Sequence, residues 1–269
     1  MGQNLQSMGM ASYKDPYADI ELTKEEQDIA IENALREARR LKHSRLYAAE
    51  YAKKLQQERT FPKMTFEEFK NAIIAKQIKL DGAFDIDDDN REIFETLSLY
   101  FFNDPRFDER GMNFRRNKGI MLVGPIGCGK TTFLKAFNIN PWNSFRMISC
   151  RTVAGEYSQK DIGGDLTIQK FSSLAEVPPQ DFFGQKYVGY MFDDLGTEEV
   201  KKHMGNQSNV MTEILLNRYD NPDLVAKTHL TTNLSVDEIK ELYGERVRSR
   251  MRQMFNMITF NPKAKDRRE

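Results

Sequence analysis

The sequence predicts an α/β fold in which helices cover both faces of a parallel sheet. From residue 119 onward, apolar segments of strand length alternate with amphipathic segments of helical length, a pattern that is typical of parallel sheets. A glycine-rich loop follows the first apolar segment, and two aspartates follow the third. Together these observations predict a sheet whose carboxyl edge binds phosphate.

The elements are justified by periodicity and by helix-start signals. Short apolar or β-branched runs predict strands at 120–123, 145–150, 187–192, 227–232 and 257–260. Helical patterns predict helices at 65–77, 90–102, 131–137, 152–159, 166–174, 208–219 and 235–252, the last one broken near Gly244. Capping boxes at Thr65 and Ser235 mark two of the helix starts.

The N-terminal part predicts a separate helical region. Residues 1–20 are polar and predict a flexible tail, whereas 21–60 predict a long helix or helical hairpin, because no glycine or proline occurs between Thr23 and Thr60. Residues 21–34 hold five acids and one base, and 35–54 hold seven bases and two acids. This polarity favours a partner-binding module, and a solvated helix packed on the main domain is equally compatible with it.

Composition excludes several classes of protein. The 269 residues include 40 basic and 40 acidic side chains, so the whole chain is no general polyanion binder. Two cysteines exclude a disulfide framework and a multi-cysteine zinc module. No apolar run approaches the roughly 18 residues that span a bilayer, and no secretory segment is visible. We therefore expect a cytoplasmic protein without membrane contact.

The glycine-rich loop matches a phosphate-binding pattern. Gly124, Gly129, Lys130 and Thr131 fit G-x-x-x-x-G-K-[ST] between a strand and a helix. The backbone of such a loop cradles phosphate oxygens, the lysine neutralises the β- and γ-phosphates, and the hydroxyl ligates Mg²⁺. The predicted ATP-binding residues are Gly124, Pro125, Ile126, Gly127, Cys128, Gly129, Lys130, Thr131 and Thr132.

Polar side chains follow two later strands of the predicted sheet. Asp193 and Asp194 end the strand at 187–192, and Asn233 ends the strand at 227–232. At the carboxyl edge, Asp193 is placed to hold Mg²⁺ with Thr131, and Asp194 to orient the attacking water. Asn233 is placed to reach the γ-phosphate or that water. Turn or helix-cap roles are the alternative for each of these residues.

A basic segment follows near the C-terminal end. Four arginines alternate between residues 246 and 252, and Arg246 and Arg250 share a helix face because they are four positions apart. An arginine offered to the γ-phosphate of a neighbouring subunit accelerates hydrolysis by orders of magnitude. The alternative is a basic helix that faces solvent or DNA.

These motifs, in this order, resemble the AAA+ ATPases of the DnaC/IstB group, which are replicative helicase loaders and transposase-helper ATPases. The resemblance covers about 64–262 and is carried by Gly124–Thr132, Phe192–Gly196, Thr231–Leu234 and Tyr243–Met251. It implies an AAA+ ATPase domain at 61–262, followed by a basic tail at 263–269. It also implies ATP, Mg²⁺, an ATP-dependent homo-oligomer, a replicative helicase or transposase as partner, and sequence-tolerant DNA contact.

The resemblance implies that Asp193 binds the metal and that Asn233 is the first sensor. It also implies that Arg250 is the arginine that acts in trans, with Arg246 as the second candidate.

Two departures from the pattern of the family bear on activity. Asp194 stands where many AAA+ proteins have glutamate, which predicts slow hydrolysis, with Glu198 able to assist. Only nine residues follow Phe260, which is too few for a helical lid domain.

Three other functions stay open at this stage. An IstB-like transposition helper that acts on duplex DNA carries the same motifs as a helicase loader. A small-molecule kinase is disfavoured because 158–173 holds lysines but no arginine for a lid. An inactive, nucleotide-responsive adaptor is suggested by Asp194. A GTPase is unlikely because no guanine-reading sequence is present.

Overall fold

In the computed structural model the chain divides into two compact units, Met1–Phe61 and Pro62–Glu269. The structure describes residues 20–56, 64–81, 85–139, 143–160, 163–178, 182, 185–198, 201–203 and 206–267. The first unit contains helix α1 (Lys24–Gln56). A capping box lies at its start, because Thr23 N donates to Glu26 Oε2 at 2.8 Å and Glu26 N donates back to Thr23 Oγ1 at 3.3 Å. The predicted tail lies outside the described residues except for Ile20.

The second unit contains the predicted sheet and its helices. The strands are β1 (Gly119–Val123), β2 (Phe145–Ser149), β3 (Ala175–Glu176), β4 (Tyr187–Leu195), β5 (Lys201–His203), β6 (Asn206–Ser208), β7 (Thr228–Thr232) and β8 (Phe255–Thr259). The helices are α2 (Phe66–Asp81), α3 (Arg91–Phe101), α4 (Lys130–Phe137), α5 (Cys150–Tyr157), α6 (Asp165–Phe171), α7 (Val210–Tyr219), α8 (Pro222–Val225) and α9 (Val236–Met254), with a 3₁₀ turn at Pro105–Glu109.

The main sheet has five parallel strands in the order β2-β4-β7-β1-β8. Strand β3 adds an antiparallel pairing at the start of β4. Counted along the chain, the parallel strands lie in the order 2-3-4-1-5, so β7 is central, β1 lies between β7 and the edge strand β8, and the connections cross over the faces. The predicted fold class, a phosphate-loop α/β sheet, is confirmed. The three strands followed by the candidate motifs, β4, β7 and β1, are adjacent.

Apolar side chains from both faces of the sheet form the core. Helices α2, α3 and α4 cover one face, where Phe101 and Phe137 stack with ring centroids 5.2 Å apart. Helices α5, α6, α7 and α9 cover the other face, where Phe171 and Phe192 are fully enclosed. Because both faces are covered, the strands read as apolar runs rather than as alternating patterns.

A buried histidine lies within the first face. The ring centroid of His229, on β7, is 5.0 Å from that of Phe145 and 5.6 Å from that of Phe101. Ile120 N donates to His229 Nδ1 at 3.1 Å. Burial, with smaller effects from Lys227 and Arg218, lowers the pKa of His229 to about 3, so the ring is neutral at pH 7.

Several predicted boundaries are wrong. Helix α2 continues to Asp81 rather than ending at 77, and β4 continues to Leu195 rather than ending at 192. The last strand begins at Phe255 rather than Met257, because α9 passes into β8 without a turn and Gly119 pairs with Phe255. The predicted helix at 208–219 begins at Val210, and the hairpin of β5 and β6 precedes it. The predicted break in the last helix is confirmed, because Gly244 has φ 83° and ψ 163°.

Candidate functional site: a phosphate-loop cleft

The candidate residues meet in one cleft at the carboxyl edge of β1, β4 and β7. The cleft has a volume of about 290 Å³. Asp194, Thr197, Asn233 and Arg267 line it together with six residues of the phosphate loop. Adjacent parallel strands bring their carboxyl ends to the same edge, which is where ligands bind in open α/β sheets.

The phosphate loop joins β1 to α4, and Gly129 is the residue before the helix. The N-terminus of α4 therefore points its free N–H groups and positive dipole end into the cleft. The predicted loop residues that line the cleft are Ile126, Gly127, Gly129, Lys130, Thr131 and Thr132. Cys128 is fully buried behind them, and burial raises the pKa of its thiol.

Lys130 holds the loop together from inside. Its side chain is only 5% exposed, and its Nζ donates to Gly124 O at 2.9 Å and to Pro125 O at 2.8 Å. It also donates to Asn233 Oδ1. The ammonium group therefore connects the loop after β1 to Asn233, the residue after β7. Lys130 and Asn233 are the lysine and the polar amide that the sequence predicts to reach phosphate.

A carboxylate and two hydroxyls form the candidate metal site. Thr131 Oγ1 donates to Asp193 Oδ1 at 2.8 Å, and Thr231 Oγ1 donates to the same oxygen at 2.6 Å. Hard oxygen ligands of this kind suit Mg²⁺, so the residues present fit the predicted metal. Sequence reasoning quoted Thr231 but gave it no role. The feature that could have indicated a role for Thr231 is a hydroxyl side chain inside a strand whose residues are all buried.

A β-bulge aims the two aspartates. In the pairing of β4 with β7, Phe192 lies opposite Leu230 and Leu195 lies opposite Thr232, so β4 has one extra residue at this point. Bulges re-aim side chains beside active sites. Asp194 adopts φ 57°, a left-handed conformation that aspartate tolerates better than most residues, and its N–H donates to Thr231 Oγ1 at 2.8 Å.

Glu198 is joined to the arginine-bearing helix. Tyr243, on α9, donates to Glu198 Oε1, and Gly196 N donates to Glu198 Oε2 at 2.9 Å. Burial raises the pKa of Glu198 even though the bond from Tyr243 opposes that shift. Glu198 is not among the described residues that line the cleft. Its Oε1 therefore links the loop after β4 to α9, and its Oε2 closes that loop on Gly196.

The arginines of α9 point in two directions. Arg246 is exposed, and Arg250 packs its guanidinium 4.5 Å from the ring centroid of Tyr219. Arg248 and Arg252 line a different, largely apolar cleft of about 480 Å³. Neither Arg246 nor Arg250 is among the described residues that line the phosphate cleft.

The segment Asn261–Arg267, here called the C-terminal segment, lies on the phosphate loop. Arg267 N donates to Gly127 O at 3.0 Å, and Arg267 Nη2 lies 2.8 and 2.7 Å from the two carboxylate oxygens of Asp87. Burial alone raises the pKa of Asp87, but the pairing with Arg267 outweighs it and lowers the pKa. Asp87 therefore holds the C-terminal segment against the main domain through an ion pair with Arg267. No motif in the sequence pointed to Arg267.

Gly127 explains why the segment approaches so closely. Its φ of 79° disfavours other residues, and a Cβ placed on it would lie 2.0 Å from Asp266 Oδ1.

Among the described residues, no helix combines the length and apolar character needed to cross a membrane.

No protein-family model matches the chain. Over 77 residues it is 29% identical to the phosphate import ATP-binding protein PstB 3 of Natronomonas pharaonis. The match covers 28% of this chain and 28% of that protein, so the chain spans less than a third of the length of this relative.

Several solved structures are similar to the chain. The DnaC helicase loader and DnaI each have a TM-score of 0.43 and 19% identity, and the alignments cover 68% and 74% of this chain and 96% and 95% of those chains. AMPPCP-bound DnaA from Aquifex aeolicus has a TM-score of 0.42 and 16% identity, over 66% of this chain and 48% of that one.

Proposed function

We propose that this chain is an ATP-dependent helicase loader of DNA replication, which binds ATP and Mg²⁺, contacts single-stranded DNA and delivers a hexameric helicase. The observation that carries the nucleotide part is the cluster of Lys130, Thr131 and Asp193 beside a helix N-terminus. A buried ammonium group, a hydroxyl and a carboxylate in this arrangement suit a polyphosphate with its metal. The loader part rests on the motif resemblance and on α1.

Each side chain has a distinct role in this proposal. Lys130 exchanges its carbonyl partners for the β- and γ-phosphates, and Thr131 and Asp193 hold Mg²⁺, which neutralises charge that develops on the phosphates. Asp194 orients the attacking water and Asn233 contacts the γ-phosphate. Hydrolysis is slow in isolated subunits, because the side chain of Asp194 is one methylene shorter than glutamate.

Turnover depends on an ATP-ordered homo-oligomer. Arg250 is the proposed trans-acting arginine, with Arg246 as the second candidate. The contact with Tyr219 supports Arg250, because an aromatic face keeps a guanidinium extended and desolvated on one side. The surface of this oligomer that contacts DNA binds without preference for the base sequence, since the amino-acid sequence shows no motif that reads bases.

Helix α1 is the proposed helicase-binding module. Ile29, Ile31 and Leu35 are 56%, 58% and 50% exposed, and Ile31 and Leu35 share a face because they are four residues apart. Exposed apolar side chains in a row indicate a protein-binding surface.

The test is native mass spectrometry of the full-length chain with the cognate hexameric helicase, ATP, Mg²⁺ and single-stranded DNA. Ile31→Ser/Leu35→Ser should lose the complex. The matched control, Glu32→Ala/Arg36→Ala, changes the neighbouring positions of the same helix and should keep it. Circular dichroism checks that both variants remain helical.

Other results would redirect the assignment. ATP-dependent assembly on duplex DNA without a helicase complex would favour the transposition helper. ATP binding without any turnover would identify an adaptor, and phosphoryl transfer to a small acceptor would identify a kinase. A helicase complex that both double variants retain would remove α1 from the binding surface.

A further inference from the structure

A second cleft lies between α9 and the strands β1 and β8. Its volume is about 480 Å³, within the range of about 300–1,000 Å³ that ligand pockets occupy. None of the described residues that line it also lines the phosphate cleft, so it is a separate site. It is here called the methionine cleft, after the four methionines in its wall: Met112, Met121, Met251 and Met257.

The wall of the methionine cleft is apolar, and its rim is open to solvent. Met112 is 93% exposed and Met257 is 47% exposed, whereas Met251 and Phe255 are buried. Methionine side chains are flexible and polarisable, so surfaces rich in them adapt to apolar partners. An open rim suits a side chain that enters from a partner chain better than a small ligand, because small-ligand sites bury most of the ligand surface.

The charged side chains that line the methionine cleft are both cations. They are Arg248 and Arg252, and no described residue of the lining is acidic. Lys118 lies against the same end of α9, with its Nζ 3.3 Å from Arg252 O. Burial and, to a smaller extent, Arg115 lower the pKa of Lys118, as expected where positive groups crowd together. The cleft therefore combines an apolar surface with positive charge.

Arg248 has a donor that the folded chain does not use. Its Nη1 donates to Oε1 of the largely exposed Glu245 at 2.9 Å. Its Nε is buried and makes no hydrogen bond to any residue that the structure describes. A guanidinium presents its donors in a fixed fork that matches a carboxylate, and a buried donor without an acceptor is costly. A carboxylate that reached the cleft would supply the missing acceptor.

We propose that the methionine cleft is a docking site for an acidic peptide of a partner protein, in which a large apolar side chain stands next to a carboxylate. The apolar side chain packs on the methionines, while the carboxylate accepts from Arg248 and pairs with Arg252. This docking site is independent of the nucleotide site proposed above, because the described residues that line the two clefts are different.

The probes are four fluorescein-labelled octapeptides, in which Asp-Asp precedes Leu, Met, Phe or Trp in a Gly-Ser background. Fluorescence anisotropy with the full-length protein should detect binding of at least one of them. The same peptides with Asn-Asn should bind about tenfold more weakly or worse, because the hydrogen bonds to a charged acceptor are lost. No binding of any octapeptide, or equal binding of the acidic and amide sets, overturns the proposal.

Variants of α9 test the charged half of the site. Arg248→Gln/Arg252→Gln should weaken the tightest peptide about tenfold or more, and Glu245→Gln should tighten it, because a competing carboxylate is removed. The matched control is Lys240→Gln. Lys240 lies 3.4 Å from the same Glu245 but is not among the described residues that line the cleft, so this variant should stay within about twofold of the wild type. An equal loss in Lys240→Gln and in the double arginine variant would indicate general attraction to a basic helix and would overturn the docking site.

The rim methionines test the apolar half. Met112→Gln/Met257→Gln should weaken the peptide severalfold, whereas Leu242→Gln, at an exposed position of α9 outside the described lining, should not. Thermal unfolding of each variant shows whether the fold is kept. Sodium dodecanoate is the competing probe. If dodecanoate binds at the cleft and the octapeptides do not, the cleft takes a small amphipathic anion and the peptide proposal is overturned.

Discussion

Replacing Thr231 by valine should remove the hydrogen bonds that hold Asp193 and Asp194 against β7, while the strand itself stays in place. The hydroxyl donates to Asp193 and accepts from Asp194 N, and both bonds disappear in Thr231→Val. A lost bond to a charged group costs about 1.5 kcal/mol or more, and a buried N–H left without an acceptor costs a similar amount. We therefore expect the free energy of unfolding to fall by about 3 kcal/mol.

The functional effect follows from the same contact. Groups that orient a metal-bound carboxylate affect metal affinity by about 10- to 100-fold. The Mg²⁺ concentration that half-saturates tight ATP binding should therefore rise at least about tenfold in Thr231→Val. The assay is titration of a fluorescent ATP analogue at a series of Mg²⁺ concentrations, with denaturant unfolding of the same samples.

Thr232 provides the matched control. It is the next residue of β7, and its buried hydroxyl donates to Leu195 O at 2.8 Å and accepts from Leu234 N at 3.1 Å. Thr232→Val should therefore lose a comparable stability, about 2 kcal/mol, without any change in Mg²⁺ dependence. Equal shifts of the Mg²⁺ midpoint in the two variants, or no shift in either, would refute the role of Thr231.

Three further outcomes are expected. Lys130→Ala should abolish ATP binding in a fluorescence titration, because it removes the charge partner of the phosphates, whereas Lys135→Ala on the exposed side of α4 should bind normally. Arg250→Ala should keep ATP affinity but reduce hydrolysis at high protein concentration by on the order of 10³-fold, and Arg252→Ala should not; equal rates in the two variants would exclude Arg250. For His229 the pKa is lower in the folded state than in the unfolded chain, so stability is lost as the pH falls from about 6.5 towards 3. That loss is about 2 kcal/mol of unfolding free energy between pH 7 and pH 5. His229→Asn keeps an acceptor for Ile120 N, so its unfolding free energy in urea should depend less on pH by that amount. Equal pH dependence in the variant and the wild type would show that the ring is charged in the folded state.

The parallel sheet was predictable because its signals are local. Strands covered on both faces appear as apolar runs, and capping boxes at Thr65 and Ser235 mark helix starts that the structure confirms. The hairpin of β5 and β6 was not predictable, since Lys201–Ser208 contains no alternating apolar pattern. The early start of β8 was missed because no turn residue separates Met254 from Phe255.

The site was predictable where a motif fixes the spacing and not where tertiary contact creates it. The loop lysine, Thr131 and Asp193 come together as the motif implies, and their roles stay predictions until they are tested. Thr231 acts through a bulge in the neighbouring strand, which no sequence pattern announced. Asp87 and Arg267 are 180 residues apart, so only the folded chain pairs them.

The break in α9 at Gly244 separates the arginine-bearing part of the helix from its first two turns. Gly244 has a backbone conformation that is essentially restricted to glycine, and no atom lies within 4 Å of the place where its Cβ would stand. A small rotation of the helix beyond Gly244 would therefore meet no neighbouring side chain at that point. Arg250 lies six residues further on, about 9 Å along the axis, so a rotation of about 10° at Gly244 moves its backbone by about 1.5 Å. A displacement of that size is enough to make or break a hydrogen bond. Gly244 adjoins Tyr243, whose hydroxyl is bonded to Glu198 in the loop after β4.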